Sequence, residues 1–434
     1  MSTAPTWRNW AGNQAMTPAA VERPTSTGDV ADAVRRAAAM DRRVKAVGSG
    51  HSFTGIALTD GVLLDMTAMQ RLVDIDPQTC RVTVEAGMPL HRLNALLAAH
   101  GLGLTNMGDV DRQTVSGAVS TGTHGTGRRS GGLAAQVVAV ELVTADGEVV
   151  TCSAEERPEV FAGARLGLGA LGVLTRLTWQ AEPAFLLCAD ERPEPLDAVL
   201  EGFEDLVAAH DHAEFYWWPH TSTALVKRND RVDGPRRPLP RLRAVLDDEM
   251  LSNGAFSLTR RLGRAMPRSV PALNRLAARA LTARTYTDEA HRVFVSRRRV
   301  HFRETEWAVP REHLPELLGE LRRAPERLGL TVDFPVEVRV CPADDVAMST
   351  AFGRDSAYVA AHAYVGTPHE RWFRVVAELA GAVGGRPHWG KEHDLTADEL
   401  RRRYPRFEAF VALRDELDPQ RRFGNAYLER VLGA

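Results

Sequence analysis

The chain has 434 residues and a formal net charge of −2, with 44% hydrophobic and 25% charged residues. This composition is that of an ordinary globular protein and excludes a disordered, collagen-like or disulfide-scaffold chain. The small net charge provides no global field to recruit nucleic acid or an anionic membrane, so we expect an enzyme of two or three domains.

The first 182 residues alternate between helical and strand patterns. Helices are predicted where apolar residues recur every three or four positions, and strands where short runs are rich in Val, Ile and Leu. In chain order, these are a helix at 27–43, strands at 44–47 and 62–65, a hairpin of 72–75 with 81–85, a helix at 90–100, strands at 137–143 and 149–151, and a strand at 173–179. Residues 106–129 are rich in Gly, Ser and Thr with little periodicity, which is typical of a functional loop.

The second half of the chain resumes the alternation after Glu182 and Pro183, where we predict a domain boundary. In chain order, strands are predicted at 213–218, 293–300, 304–309, 336–340 and 358–364, with a helix at 312–328. Residues 229–284 are rich in Arg and Pro and give no clear pattern. The mixture of helices and strands predicts an α+β fold of two closely joined domains.

The four cysteines indicate a reducing compartment. Cys80, Cys152, Cys188 and Cys341 are far apart and form no C-x-x-C pair, so we expect buried thiols. The first residues lack the apolar core of a signal peptide, and no uninterrupted apolar run approaches the ~18 residues of a spanning helix. We therefore expect a cytoplasmic protein without a membrane span.

Three segments rich in small residues are candidates for ligand binding. Residues 48–53, Gly-Ser-Gly-His-Ser-Phe, follow a strand, and exposed backbone N–H groups in such a loop can bind a pyrophosphate. They match neither a Walker loop nor the Rossmann fingerprint, because no Gly-Lys pair follows and Phe53 replaces the third glycine. Residues 121–127 and 167–172 are similar glycine-rich segments. Together the segments favour a dinucleotide site, with simple tight or packing turns as the alternative.

Glu337 and Arg339 form a second candidate site, on the predicted strand 336–340. Side chains two residues apart point to the same face of a strand, so a buried carboxylate and guanidinium can contact one ligand together. A cross-strand ion pair is the alternative interpretation.

Three motifs together resemble a known family. They are Gly-Ser-Gly-His-Ser-Phe at 48–53, Ser-Gly-Ala-Val-Ser-Thr-Gly-Thr-His-Gly at 116–125 and His-Trp-Gly-Lys at 388–391. The chain resembles the FAD-linked oxidases of the vanillyl-alcohol-oxidase type, and among them the L-gulonolactone and D-arabinonolactone oxidases and the alditol oxidases. The resemblance implies a two-subdomain FAD-binding domain at 1–182, a substrate or cap domain built on a mixed or antiparallel sheet at 183–385, and a C-terminal segment at 386–434 that returns to the active site.

The resemblance also implies the cofactor site. His51 matches the histidine that is covalently attached to the flavin 8α-methyl group of FAD. The further residues that match FAD contacts are Gly48, Ser49, Gly50, Ser52, Gly108, Asp109, Ser116, Gly117, Thr121, Gly122, His124, Gly125 and Val173.

Four residues match the family's catalytic groups. Glu337 and Arg339 match a pair above the flavin that orients the substrate hydroxyls and helps to deprotonate the reacting one. Lys391 matches a cation beside the flavin N1 and C2 carbonyl, where a fixed charge stabilises the reduced ring. His362 matches a residue of the substrate cavity, with an ordinary core histidine as the alternative.

Two neighbouring residues bear on the acceptor and the substrate. Gly108 is typical of the family's oxidases, whereas the plant-type lactone dehydrogenases carry an alanine that resembles a plug in front of the flavin, so Gly108 permits reaction with O2. Asp109 departs from the serine of the alditol oxidases and favours an aldonolactone.

The resemblance therefore implies flavin-dependent oxidation of a small sugar-1,4-lactone of the L-gulono or D-arabinono type, with reoxidation by O2 or an electron carrier. An alditol oxidase is the alternative within the family. A metal-dependent lactone hydrolase and a non-catalytic sugar-binding module remain as rivals of other classes. A metal cluster of such a hydrolase could be formed by His388, Glu392 and His393. The residues Trp389, Gly390 and Lys391 between them fit the resemblance to the flavoenzymes better.

Overall fold

The structure is a computed structural model that describes residues 6–240, 263, 265–296 and 300–434. In chain order, the strands are β1 (Trp7–Arg8), β2 (Ala15–Met16), β3 (Ala20–Glu22), β4 (Val44–Val47), β5 (Val62–Asp65), β6 (Leu72–Asp76), β7 (Arg81–Glu85), β8 (Leu102–Gly103), β9 (Val137–Val143), β10 (Val149–Ser153), β11 (Val173–Gln180), β12 (Glu182–Pro183), β13 (Leu186–Pro195), β14 (His212–Trp217), β15 (Thr223–Val232), β16 (Arg284–Glu289), β17 (Phe302–Pro310), β18 (Val336–Cys341), β19 (Ser356–Tyr364) and β20 (Arg386–Pro387). The helices are α1 (Thr27–Ala39), α2 (Leu90–Ala99), α3 (Val115–Ser120), α4 (Pro158–Ala164), α5 (Leu196–Glu201), α6 (Phe203–Ala209), α7 (Val270–Arg279), α8 (Ala290–Phe294), α9 (Leu314–Leu328), α10 (Glu370–Ala382), α11 (Ala397–Arg401), α12 (Phe407–Leu417) and α13 (Ala426–Leu432).

The first sheet is parallel and positions the loop at 48–53. Its strand order is β3-β5-β4, and β4 ends at Val47, directly before the loop. Helix α1 begins after Ser26, whose side chain accepts a hydrogen bond from the N–H of Asp29, and buries Val30 and Val34 against this sheet. Backbone N–H groups at the carboxyl end of β4 are therefore available to a ligand.

The second sheet, ordered β10-β9-β11-β7-β6, is antiparallel. Strand β11 alternates buried and half-buried residues along its length, with Leu177 and Trp179 fully buried. Its core extends to α2, α3 and the C-terminal helices. The segment 167–172 turns into the first residue of β11, so the third small-residue segment lies at an edge of this sheet.

The third sheet is antiparallel, with eight strands ordered β16-β13-β15-β14-β18-β19-β17-β20 in the described part of the chain. Helices α9 and α10 cover one of its faces, where β18 contributes Val336, Val338 and Val340 to a buried core. The period of two sends Glu337 and Arg339 to the opposite face. Strands β14, β17 and β19 likewise send charged or polar side chains to that face.

The segment after β20 returns to the first half of the chain. Trp389, Tyr404 and Phe407 pack in the core of the second sheet. Lys45, at the end of the first sheet, donates hydrogen bonds from Nζ to the carbonyls of Phe423 and Gly169, each at 3.0 Å. Burial lowers the pKa of this lysine to about 7. The segment thus packs against the first half of the chain, while the boundaries at 182 and 385 stay a prediction.

Three sequence predictions differ from the structure. The helix predicted at 27–43 ends at Ala39, because Asp41 adopts a left-handed conformation with φ of 49°. The segment 106–129 contains the short helix α3, which buries Val115, Ala118 and Val119 but has only six residues, too few for a helical period to be recognised. The strand predicted at 293–300 is wrong: residues 290–294 form α8, Phe294 and Val295 pack against the core of the second sheet, and residues 297–299 lie outside the described part.

The α+β fold and most of the predicted strands are confirmed, with bounds shifted by one or two residues. In the described residues, no helix has both the length and the apolar character needed to cross a membrane.

Candidate active site

Two adjoining cavities form one crevice between the first half of the chain and the third sheet. The first cavity, about 1100 Å³ including its open part, is lined by the loop 48–52, α3 and the segment 167–174. The second cavity, about 1700 Å³ on the same measure, reaches the charged face of the third sheet. Both are lined by His51, Ser52, Gln113 and Thr121. The crevice therefore runs without a break from the small-residue segments to Glu337.

Most of the predicted cofactor contacts lie on these walls. Those on the first cavity are Gly48, Ser49, Gly50, His51, Ser52, Ser116, Gly117, Thr121 and Val173, and those that line only the second are Gly108, Asp109 and His124. Gly122 and Gly125 lie behind the walls instead. A Cβ at Gly125 would be 2.3 Å from the Met107 carbonyl oxygen, so this glycine allows the close packing of the loop that presents Thr121 and His124.

Two features of the first cavity, at Gly48 and at Thr114, suit a bound cofactor. A Cβ at Gly48 would lie 1.9 Å from Thr114 Oγ1, so only glycine allows these two walls to approach. The Thr114 hydroxyl lines the cavity and is buried without a hydrogen-bond partner among the described residues. A buried hydroxyl without a partner is costly, and a ligand oxygen or nitrogen in the cavity would satisfy it.

Hydrogen bonds from two other segments fix the loop at 48–53. The N–H of Trp10 donates to the Gly50 carbonyl at 2.8 Å, and the N–H of Phe53 donates to the Gly390 carbonyl at 2.8 Å. The Trp10 ring stacks on the His51 imidazole with centroids 5.5 Å apart. The motifs at 48–53 and 388–391 are thus held together although they are far apart in the chain.

His51 is uncharged at neutral pH in this environment. Burial and the positive charge of Lys391 lower its pKa to about 4. Neither of its ring nitrogens has a hydrogen-bond partner among the described residues. The imidazole therefore carries a free lone pair at the junction of the two cavities.

The four predicted catalytic residues line the second cavity together. They come from three elements: Glu337 and Arg339 from β18, His362 from β19, and Lys391 from the segment after β20. Glu337 is only 4% exposed. The Glu337 carboxylate pairs with Arg339 along the same strand, and the cross-strand ion pair predicted as the alternative is formed between Arg339 and Glu214 of β14.

Arg339 is surrounded by three carboxylates. Besides Glu337, its Nε donates to Glu214 Oε2 at 3.0 Å, and its Nη2 lies 3.4 Å from Asp109 Oδ1. Burial opposes the guanidinium charge, but these three carboxylates outweigh it and raise its pKa well above the usual value. Arg339 is therefore a permanently charged group with a fixed orientation. Glu214 was not found from the sequence.

Lys391 is also paired rather than free. It binds the Glu304 carboxylate, whose other oxygen lies 3.5 Å from His362 Nε2. Burial alone would raise the pKa of Glu304, but Lys391 and His362 lower it to about 2. Glu304 and its neighbour Glu306 were not predicted from the sequence, although they are two residues apart in β17, the same signal that identified Glu337 and Arg339.

His124 and Glu306 form a buried ion pair. His124 Nε2 lies 3.2 Å from a Glu306 oxygen, and its Nδ1 donates to the Gly125 carbonyl at 2.8 Å. Burial opposes the charge of His124, but Glu306 and then Cys341 raise its pKa to about 10. Both ring nitrogens of His124 are therefore protonated at neutral pH.

The protonation of His124 also bears on metal binding. The ligand atoms of His124, Glu306 and His388 lie within 4.8 Å of one another, a spacing that a metal ion could use. A metal ion would have to displace a proton of His124, which is paired with Glu306, and His388 Nδ1 accepts a hydrogen bond from the N–H of Gly390 at 3.0 Å. The cluster drawn on His388, Glu392 and His393 is not formed, because Glu392 pairs with Arg303 and His393 contacts Tyr427.

Replacing Glu306 with glutamine is expected to lower the free energy of unfolding by about 3–5 kcal/mol, the usual effect of breaking a buried ion pair. The raised pKa of His124 means that the pair's contribution is fully present below pH 6.5 and is lost as the pH rises through about 10. Urea unfolding of the wild-type and Glu306→Gln holoenzymes at pH 6.5 and 10 measures the difference between their free energies of unfolding. The difference should shrink at pH 10, and an equal difference at both pH values would contradict the ion pair.

Comparison with known proteins identifies the chain. A family model described as FAD binding domain matches residues 18–153, and one described as D-arabinono-1,4-lactone oxidase matches residues 177–431. The L-gulono-1,4-lactone dehydrogenase of Mycobacterium tuberculosis is 44% identical, covering 99% of this chain and 100% of the relative. The L-gulonolactone oxidase of Mus musculus is 35% identical, covering 98% of each chain. A solved structure of a solvent-stable cholesterol oxidase has the same fold, with a TM-score of 0.80 at 19% identity, covering 100% of this chain and 98% of the other.

The two family matches and the relatives show that the protein is an FAD-dependent oxidoreductase. The chain belongs to the D-arabinono-1,4-lactone oxidase family. The family resemblance inferred from the three motifs is therefore confirmed, as is an FAD-binding domain in the first half of the chain.

Proposed function

We propose that the protein oxidises a hydroxyl group of a sugar-1,4-lactone, with FAD held in the first cavity and the lactone in the second. The continuous crevice from the loop at 48–53 to Glu337 carries this proposal. The FAD, when bound, supplies the acceptor for the hydride that leaves the substrate carbon. The names of the relatives, a gulonolactone dehydrogenase and a gulonolactone oxidase, support the same substrate class.

Glu337 accepts the proton of the reacting hydroxyl. Its carboxylate is buried and already fixed by Arg339 and by the Tyr216 hydroxyl, which donates to Glu337 Oε1 at 2.7 Å. A base must be within hydrogen-bond reach of the proton that it removes. The position of Glu337 on the wall of the second cavity allows such a contact with a bound substrate. Arg339 stabilises the negative charge that develops on the substrate oxygen, because it is charged and oriented before the substrate binds.

Lys391 and His362 complete the polar wall of the second cavity. The Lys391 ammonium group, held by Glu304, places a positive charge beside His51 and the loop at 388–391. Such a charge would stabilise an anionic reduced cofactor in the crevice. His362, between Glu304 and Glu337, would orient a second substrate hydroxyl.

The His51 imidazole forms the covalent bond to the FAD 8α-methyl group. Three observations support this assignment: its lowered pKa, its ring nitrogens without protein partners and its position on both cavities. An uncharged imidazole is a nucleophile, whereas a protonated one is not.

Asp109 supports an aldonolactone rather than an alditol. One of its oxygens lies 3.4 Å from Arg339, and the other accepts a hydrogen bond from the Ser296 hydroxyl at 3.3 Å. This carboxylate lies beside Arg339 at the position where the sequence departs from the serine of the alditol oxidases. The segment at 295–296 closes the same part of the cavity wall.

Anaerobic mixing with a panel of aldonolactones and alditols tests the function. The purified protein should be yellow, an aldonolactone should bleach the flavin absorbance, and a metal chelator should have no effect. A colourless protein that hydrolyses lactones and loses activity with chelator would instead identify the rival metal-dependent hydrolase. Bleaching by alditols alone would reverse the assignment of the substrate class.

Replacing Gly108 with alanine is expected to slow reoxidation of the reduced flavin by O2 about tenfold, while reduction by the lactone stays nearly unchanged. The new Cβ would lie 2.9 Å from the His124 carbonyl oxygen, on the wall of the second cavity, and would narrow it. Rapid mixing of the reduced enzyme with air-saturated buffer measures the rate. Gly319→Ala, where a Cβ has no atom within 4 Å, is the control. Unchanged reoxidation in Gly108→Ala would remove Gly108 from the oxygen path.

A further inference from the structure

The hydroxyl of Tyr216 lies between two buried carboxylates. Its oxygen is 2.7 Å from Glu337 Oε1 and 3.4 Å from Glu214 Oε1. A phenol has one proton and can donate to only one carboxylate at a time. While Glu337 is ionised, the shorter distance assigns that proton to Glu337. If Glu337 becomes protonated, it can donate to the Tyr216 oxygen, and the phenol proton is then free to turn to Glu214.

Glu214 connects this contact to another cavity. It lines a small inner cavity of about 330 Å³ including its open part, whose polar wall includes Lys227 and Asn229. Lys227 Nζ lies 3.1 Å from Glu214 Oε1, the oxygen nearest to Tyr216. A cavity with several polar partners is of the kind that holds ordered water. The inner cavity also touches Asp109 and Arg339, so it lies directly behind the charged wall of the second cavity.

Glu337 needs a route for the proton that it takes up. It is 4% exposed, and the second cavity that it faces is the one proposed to hold the lactone. His362, a second titratable neighbour, has its Nε2 3.9 Å from Glu337 Oε2, which is beyond hydrogen-bond distance. The contact with Tyr216 is a normal hydrogen bond and leads away from the substrate.

We propose that Tyr216 and Glu214 form a relay that carries the substrate proton from Glu337 to the inner cavity. The proposal rests on the proposed function, in which Glu337 removes that proton. The protonated Glu337 donates its proton to the Tyr216 oxygen as the Tyr216 O–H proton passes to Glu214 Oε1. Glu337 returns to a carboxylate, Tyr216 regains a neutral hydroxyl, and Glu214 releases one proton to water in the inner cavity.

The charges around Glu214 suit a group that passes a proton on. Burial raises its pKa, but Lys227 and Arg339 outweigh burial and lower it. This direction favours release of a proton that Glu214 accepts. Among the described residues, the charged or titratable groups that face the relay or the inner cavity are Arg339 on β18, Lys227 on β15, Glu191 on β13, His362 on β19, Glu304 on β17, Asp109 in the loop before α3 and Lys391 after β20.

Two variants of the holoenzyme test the relay. Tyr216→Phe removes only the hydroxyl, and Glu214→Gln keeps the volume and the acceptor oxygen but cannot become protonated in this range of pH. In each variant, steady-state turnover with the lactone should fall at least about tenfold, within the range of general acid–base effects. Turnover should then rise with the concentration of imidazole buffer, which replaces the missing proton acceptor, whereas wild-type turnover should not depend on it.

A matched control removes another hydroxyl from the same sheet. Tyr364→Phe changes a tyrosine of β19 that does not line either cavity and should behave as wild type. If turnover is slow in Tyr216→Phe but normal in Glu214→Gln, then Tyr216 only orients Glu337, and the relay is overturned. So would slow turnover in both variants without any response to buffer. Bleaching of the wild-type flavin by a lactone tests the proposed function independently of these variants.

Discussion

Glutamine in place of Glu337 is expected to slow reduction of the flavin by the lactone about 10²–10⁴-fold, the usual contribution of a general base. Glutamine has nearly the same volume and can still accept hydrogen bonds from Tyr216 and Arg339, but it cannot accept the hydroxyl proton. Anaerobic stopped-flow absorbance measures the reduction rate directly. Because the side-chain shape is preserved, we expect the loss in the rate at saturating lactone rather than in the lactone concentration needed for half-saturation.

Glu194→Gln is the matched control for that variant. Glu194 lies on β13 of the same sheet, pairs with Arg228 and does not line the second cavity. This control should reduce its flavin at the wild-type rate. A Glu337→Gln variant with a normal saturating rate and weaker lactone binding would assign Glu337 to substrate binding and would contradict its role as the base.

Replacing His51 with alanine is expected to abolish the flavin that stays with the chain after acid precipitation. Alanine has no nucleophile, and the remaining contacts to FAD are non-covalent and are lost when acid unfolds the protein. Absorbance of the washed precipitate, compared with the protein concentration, measures the attached flavin. Acid-stable flavin in His51→Ala would exclude His51 as the attachment site.

His301→Ala is the control for the removal of His51. His301 contacts the Trp10 ring with centroids 4.7 Å apart, as His51 does at 5.5 Å, but it does not line either cavity. Its replacement should leave the acid-stable flavin unchanged. The comparison separates the loss of a nucleophile from the loss of packing around Trp10.

The small-residue loops and the Glu337–Arg339 pair could be predicted from the sequence because their signals are local. A glycine-rich segment after a strand and a spacing of two within a strand are each contained in about six residues. The structure brings these segments to one crevice. The three motifs, in their order along the chain, indicated the family, and the family indicated FAD as the cofactor.

The partners of these residues could not be predicted, because they depend on strand pairing. Tyr216 lies opposite Glu337 through the β14–β18 pairing, and both Glu337 and Glu306 lie opposite Ala360 of β19. No pattern within one strand specifies which distant strand will lie beside it. The sequence therefore predicted Lys391 as a cation but not its partner, Glu304, which the sheet places beside it.

The attachment of FAD to His51 within the crevice is the central claim, and peptide mapping of the holoenzyme tests it most directly. After proteolysis, the flavin absorbance should elute with the peptide that contains residue 51, and mass spectrometry should find that peptide heavier by one FAD moiety. Fragmentation should place the added mass on the imidazole. Flavin that elutes free, or bound to a peptide from another part of the chain, would contradict the account.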